Sequence, residues 1–238
     1  ARHDGKKLTW QAEIADTSLK IAGFAVSPRG ELLVVDHGTG LYRIVPTPPT
    51  GKLPVFPRKL SETGIFSSVA DYKVAPGVVP YSVNSPGWTD GASAERHLAL
   101  PGDTTVGFGG NRGWELRESS VIIQTLSLGA RRIETRLMTR QHNEWAGYSY
   151  RWNKEQTEAE LVEKDGLDIE VEVKGKKHPW RIPGRAECMS CHSRADNFIL
   201  GITANQRNRE HAYEAGTTTQ LETLKKLGIL TGYNTQNP

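Results

Sequence analysis

Several features that tie a protein to a membrane or to nucleic acid are missing from this 238-residue chain. No stretch approaches the roughly 18 consecutive apolar residues of a membrane-crossing helix, so no membrane span is expected. Lys and Arg outnumber Asp and Glu by only 30 to 27, a formal net charge of +3. That surplus is too small to argue for a nucleic-acid partner on electrostatics. The first residues, Ala1-Arg2-His3-Asp4-Gly5, hold no apolar leader core, so any export signal is expected to lie outside this sequence or to have been removed. Only two cysteines and two methionines are present. Two cysteines cannot make a disulfide framework, and there is no second pair to complete a four-ligand zinc site. What is there, 37% hydrophobic and 24% charged residues, is globular material long enough to bury a core.

Both cysteines fall in one pentapeptide, Cys188-Met189-Ser190-Cys191-His192. Two thiols three residues apart on a helical turn can each form a thioether to one of the two vinyl groups of a haem, and the adjoining imidazole then lies beneath the iron as axial ligand. The spacing therefore predicts one covalently bound haem c on Cys188, Cys191 and His192. A thioredoxin-like redox CxxC would follow a strand in a βαβ unit, whereas His178-Pro179-Trp180-Arg181-Ile182-Pro183-Gly184-Arg185 is interrupted by proline. A disulfide across a two-residue gap would add little. Haem c is attached outside the cytoplasm, so a periplasmic or otherwise exported protein is expected.

Hydrophobic periodicity divides the chain. Phe24–Val26, Glu31–Asp36 and Leu41–Val45 alternate in polarity between turn-forming stretches and, with Leu8–Ile14 ahead of them, predict a four-stranded meander over residues 1–46 that resembles one propeller blade. One blade cannot bury both of its faces alone. Residues 47–57 contain four prolines and predict a stiff linker. Between 58 and 180, Ser120–Leu128, Arg132–Met138, Gly147–Trp152, Leu161-Val162 and Ile169–Val173 alternate as half-buried antiparallel strands, which points to a β-sandwich or barrel. Residues 181–238 predict two or three helices around the cysteine motif. One runs to Gly201, one spans Ala204–Tyr213 and the last spans Thr219–Leu227 before Gly228. The expected fold class is mostly β with a small α segment.

A sixth iron ligand would be a Met thioether or an imidazole. Met189 lies inside the attachment loop, which leaves Met138. In an alternating strand Met138 shares a face with Glu134, Arg136 and Arg140, away from Ile133, Thr135 and Leu137. An apolar Met on a polar face calls for a reason, although filling a gap in the packing is one. His211 is the next candidate, followed by His97, His142 and His178. Arg181, Arg185 and Arg194 flank the motif, and Arg185 is the best placed of them to pair with a haem propionate. The row Tyr148, Tyr150, Trp152 could wall a haem, but same-face aromatic rows more often build a sheet core. Glu155, Glu158, Glu160 and Glu163 with Lys154 and Lys164 read as a solvated charged segment, and Lys174–His178 as a basic loop.

Three function classes are compatible with these residues. They are single-electron transfer, a peroxidase-like haem enzyme with an open sixth position, and an interaction module whose CxxC is a dithiol or partial metal site. The stretches Trp145–Asn153, Arg185–His192, Leu200-Gly201, Asn205–Asn208 and Gln220–Leu224 resemble the cytochrome region of large exported bacterial c-type cytochromes. The resemblance covers residues from about 58 to 230. In that family a six-bladed propeller similar to the soluble quinoprotein sugar dehydrogenases commonly precedes the region, and Gly30–Gly40 is similar to its final blade. The resemblance implies an electron carrier, rather than an enzyme in its own right. Its implied partner is a redox protein, such as a propeller-type dehydrogenase domain or subunit. With one blade and one haem motif, the chain is expected to be a piece of a longer polypeptide or a subunit whose partner supplies the rest.

Overall fold

The computed structural model describes residues 2–10, 17, 19–38, 40–46, 55–109, 113–141, 144–173, 175–193 and 197–234. The described residues are mostly β with few helices, as the periodicity predicts. The chain divides into two compact units, residues 1–55 and 56–238.

In the first unit β1 (Arg2–His3) pairs with β2 (Leu8–Trp10), while β3 (Ile21–Val26), β4 (Leu32–Asp36) and β5 (Gly40–Arg43) form a separate antiparallel sheet. The expected four-stranded meander is thus three strands plus a hairpin, because the residues around Leu8 close on the chain start instead of joining β3. Val34 and Asp36 are buried, but Phe24, Val26 and Leu41 are exposed. A three-stranded sheet has too little material to cover its own apolar side chains.

The second unit opens with a 3-10 turn (Leu60–Thr63), the small pair β6 (Phe66–Ser68) and β7 (Lys73–Val74), then β8 (Val79–Tyr81), β9 (Ser93–Ala99) and β10 (Val106–Gly107). The long strands follow: β11 (Val121–Leu128), β12 (Arg131–Gln141) and β13 (Glu144–Trp152), then β14 (Ala159–Leu161). A hairpin of β15 (Leu167–Val173) and β16 (Lys176–Ile182) leads into helix α1 (Arg185–Cys191). The last elements are α2 (Ala204–Arg207), β17 (Glu210–Tyr213), β18 (Gly216–Thr219), α3 (Gln220–Lys226) and β19 (Leu230–Thr231).

The body is one six-stranded antiparallel sheet of order β14-β13-β12-β11-β9-β8, and Lys59 bridges to Glu160 along its β14 edge. The sandwich or barrel expected from alternation is not what the described residues form. Alternation cannot tell a second sheet from other cover, and here a loop, a hairpin and helices supply it. On one face Ile123, Leu137, Tyr150 and Trp152 pack with Leu60, Ile65 and Phe66. Tyr150 donates to the Pro57 carbonyl at 2.9 Å, and the Trp152 indole to Thr135 Oγ1 at 2.9 Å, so these buried polar groups are satisfied. The aromatic row is core, as weighed from sequence.

On the other face the register aligns Leu98, Ile122, Met138 and Gly147 in one cross-strand row, and Tyr81, Arg96, Gln124, Arg136 and Ser149 in the next. Leu98, Ile122 and Met138 share a hydrophobic cluster with Ile199, Ile202, Leu221 and Leu224, so residues 58–180 and 181–238 are joined through one core. Two helix expectations are corrected. Past Cys191 the described residues 197–201 are turns, and of Ala204–Tyr213 only Ala204–Arg207 is helical. Asn208 leaves helical geometry, and the threonine run Thr217–Thr219 pairs with Glu210–Ala212 as a hairpin. α3 ends as expected, with Gly228 in the left-handed region at φ 72°.

Candidate functional site

The close approach of α1 to the sheet is set by a glycine. A Cβ at Gly147 would lie 2.5 Å from Cys188 Cβ, 2.8 Å from Cys188 Sγ and 3.2 Å from Met138 Sδ. Only the bare backbone of β13 lets the helix settle here, with the Cys188 and Met138 sulfurs flanking one point. The helix start is fixed from several sides. Ser149 Oγ donates to the Pro183 carbonyl at 2.9 Å, Gly184 N–H to Glu187 Oε2 at 2.7 Å, and Arg185 N–H to the Lys164 carbonyl at 2.9 Å. Arg181 pairs with Glu187 at 2.8 Å and with Asp168 at 3.3 Å. The Arg181 hydrogen bond, aided by the Gly184 N–H, holds the Glu187 carboxyl below the usual range.

The three-residue spacing puts Cys188 and Cys191 on one helix face, and both line a cavity of about 770 Å³. That is the size of a cofactor pocket. His192, immediately after the helix, lines it as well, and so does Met138 from the sheet. His192 Nδ1 lies 2.9 Å from the Phe198 carbonyl. A carbonyl only accepts, so Nδ1 carries the proton and the ring's lone pair is on Nε2, the arrangement of an imidazole oriented for metal ligation. Asn197 and Phe198 both sit at positive φ, 50° and 62°. Two adjacent left-handed non-glycine residues cost roughly 1–3 kcal/mol each. They turn the Phe198 carbonyl toward the ring, and Ile199 and Ile202, fully buried, hold the loop in place.

Met138 is buried in the cluster beside this cavity, and the polar face predicted for it is the cavity face: Arg136 and Gln124 also line the space. The other sequence candidates sit elsewhere. His97 is on the opposite face of the sheet, level with Ile123, and burial depresses its pKa to about 4. His211 lies on strand β17, not a helix, with Nδ1 2.7 Å from Ser82 Oγ, and is absent from the cavity lining. His178 is exposed on β16, while His142 and Arg194 lie outside the described residues. Arg185 is not in the cavity lining. Its guanidinium lies 4.8 Å from the Tyr148 ring centroid. The arginines that line the cavity are Arg96, Arg136 and Arg181. Arg96 carries no local sequence signal for this place, because Ser93–Ala99 shows its strand only through pairing with β8 and β11. Arg136 was legible on the same face as Met138.

Cys188 and Cys191 are free thiols, and burial raises the Cys188 pKa. A raised pKa is the reverse of the thiolate activation that a redox dithiol uses. Among the described residues, no three of His, Cys, Asp and Glu converge as a protein-only metal centre requires. No helix there is long and apolar enough to cross a membrane. No family model, curated protein or solved structure matches the chain.

Proposed function

We infer that the chain is a monohaem c-type cytochrome that transfers single electrons. The observation that carries this reading is the meeting of Cys188, Cys191, His192 and Met138 on the walls of one cofactor-sized cavity. The residues fit the group. Each cysteine adds its S–H across a vinyl double bond, forming a sulfur–carbon bond while the proton goes to the other vinyl carbon, and no oxidant is consumed. His192 would offer Nε2 to the iron, held in orientation by Phe198, and Met138 would offer its thioether from the sheet side. When bound, the haem supplies a one-electron couple.

Electron transfer is favoured over a peroxidase-like reaction because the acid-base groups on the described cavity walls are engaged: His192 is the only histidine there and would face the iron, and Glu187 is held by Arg181 and the Gly184 N–H. The donor is a redox protein, a propeller-type quinoprotein dehydrogenase in our proposal, and the setting is the periplasm or an equivalent exported compartment. The three-stranded sheet of the first unit, with Phe24, Val26 and Leu41 exposed, suits the terminal blade of such a propeller. The test is an absorption spectrum of protein matured with haem. A low-spin spectrum with a sharp reduced α-band, unmoved by carbon monoxide or cyanide, is expected. A high-spin spectrum that shifts with either ligand would replace electron transfer with catalysis. Cys191→Ala or His192→Ala should abolish normal haem incorporation, and a wild-type-like haem protein from either variant would refute the assignment.

A further inference from the structure

The cavity's cations differ in what already neutralises them. Arg181 is held by Glu187 and Asp168, and Arg136 is paired with the buried Glu134. Arg96 lines the same cavity and has no carboxylate partner among the described residues; its guanidinium donates only to the Ala94 carbonyl, at 3.2 Å. Arg96 sits level with Tyr81 on β8, and against Tyr81 lies a second cation with no carboxylate partner among the described residues, Arg207. Arg207 is fully buried, with none of its three guanidinium nitrogens hydrogen-bonded among the described residues, and its guanidinium carbon lies 4.2 Å from the Tyr81 ring centroid and 5.7 Å from that of Trp114. Two buried or half-buried cations without counter-charge are expensive in a folded protein unless an anion completes the site. The positive field of this wall is therefore complementary to a negative group inside the cavity.

We propose that the wall formed by Arg96, with Gln124 beside it and Arg207 behind Tyr81, receives a carboxylate of the bound cofactor. On the haem reading above, on which this inference rests, that carboxylate is a propionate. Arg96 is its direct partner, donating N–H groups to the carboxylate oxygens, and Gln124, its neighbour in the register, lines the cavity at the same level. Arg207 does not line the cavity and acts through its field and through the position of Tyr81. Arg136 lies one further strand along, roughly 10 Å from Arg96 at ordinary strand spacing, and is in reach of a second carboxylate while keeping its pair with Glu134. Arg185, stacked outside on Tyr148, takes no part.

The experiment compares haem-loaded wild type, Arg96→Gln, Arg96→Lys and Arg185→Gln by resonance Raman spectroscopy and potentiometric titration, with the mass of each protein recorded first. Arg96→Gln should shift the propionate bending bands and lower the reduction potential, because a cation that disfavours the oxidised iron is gone. Arg96→Lys should also shift the bands while keeping more of the potential, since it retains the charge and loses the fork. Arg185→Gln should match wild type in both readouts. Haem-loaded Arg96 variants with unmoved bands and potential would overturn this inference and leave the haem reading standing. Band shifts in Arg185→Gln alone would overturn it as well. A wild-type polypeptide that never acquires haem would overturn both.

Discussion

Gly147→Ala tests the seat of α1 on the sheet. The new Cβ would meet Cys188 Cβ at 2.5 Å, whereas carbons rest at about 3.5–4.0 Å, so helix and strand must separate by about 1 Å. The helix cannot simply lift, because its start is tied by the Ser149, Gly184 and Arg185 hydrogen bonds. The backbone at Gly184 is closely packed as well. A Cβ there would be 2.4 Å from the Lys164 carbonyl oxygen. Overpacking of this kind costs about 1–3 kcal/mol, offset by about 0.5–1 kcal/mol for the lower unfolded-state entropy of alanine. A net loss of up to about 2.5 kcal/mol is expected in urea denaturation. Gly107→Ala is the control: it lies in a strand, with nothing within 4 Å of its Cβ position, and should be neutral or slightly stabilising. In haem-loaded protein the same Gly147 substitution should weaken the ferric Met-to-iron charge-transfer band, since Met138 Sδ is 3.2 Å from the new carbon. A Gly147→Ala protein as stable as Gly107→Ala, with that band intact, would refute the packing argument.

Met138→Leu should lower the reduction potential and open the iron to carbon monoxide; a potential unchanged from wild type would remove Met138 from the iron. His97 is buried neutral, and burial takes its pKa from 6.5 to about 4. The unfolded chain therefore binds the proton first as pH falls, so stability present above pH 6.5 should drain by up to about 3 kcal/mol toward pH 4. His97→Gln should flatten the part of the profile between those values, and an unchanged slope in denaturation titrations would contradict the assignment. Ile202→Ala removes a fully buried side chain from the cluster under the cavity and should cost about 2–5 kcal/mol by chemical denaturation. A cost under about 0.5 kcal/mol would mean that the C-terminal segment does not share the sheet's core.

What the sequence made legible follows from period and spacing. Val121–Leu128, Arg131–Gln141 and Glu144–Trp152 announce themselves by alternation, and the alternation alone put Met138 with Arg136 on the face that lines the cavity. The cysteine spacing placed both thiols on one side of a helical turn. The hairpin at Glu210–Thr219 was hidden because helix-compatible residues such as Glu210, Ala212 and Glu214 outweighed the pairing partner, which lies beyond a turn. Arg185 was preferred for its nearness in sequence to the motif, but helical geometry turns it outward onto Tyr148. Arg96 is far away in sequence and reaches the cavity only through sheet register, which no local pattern encodes.

The most direct measurement is the intact mass of the purified chain after expression in a host that matures haem c, taken under denaturing conditions. The expected result is the polypeptide mass plus one haem, with neither Cys188 nor Cys191 open to alkylation. A colourless protein of bare polypeptide mass, in which both thiols alkylate freely, would contradict it.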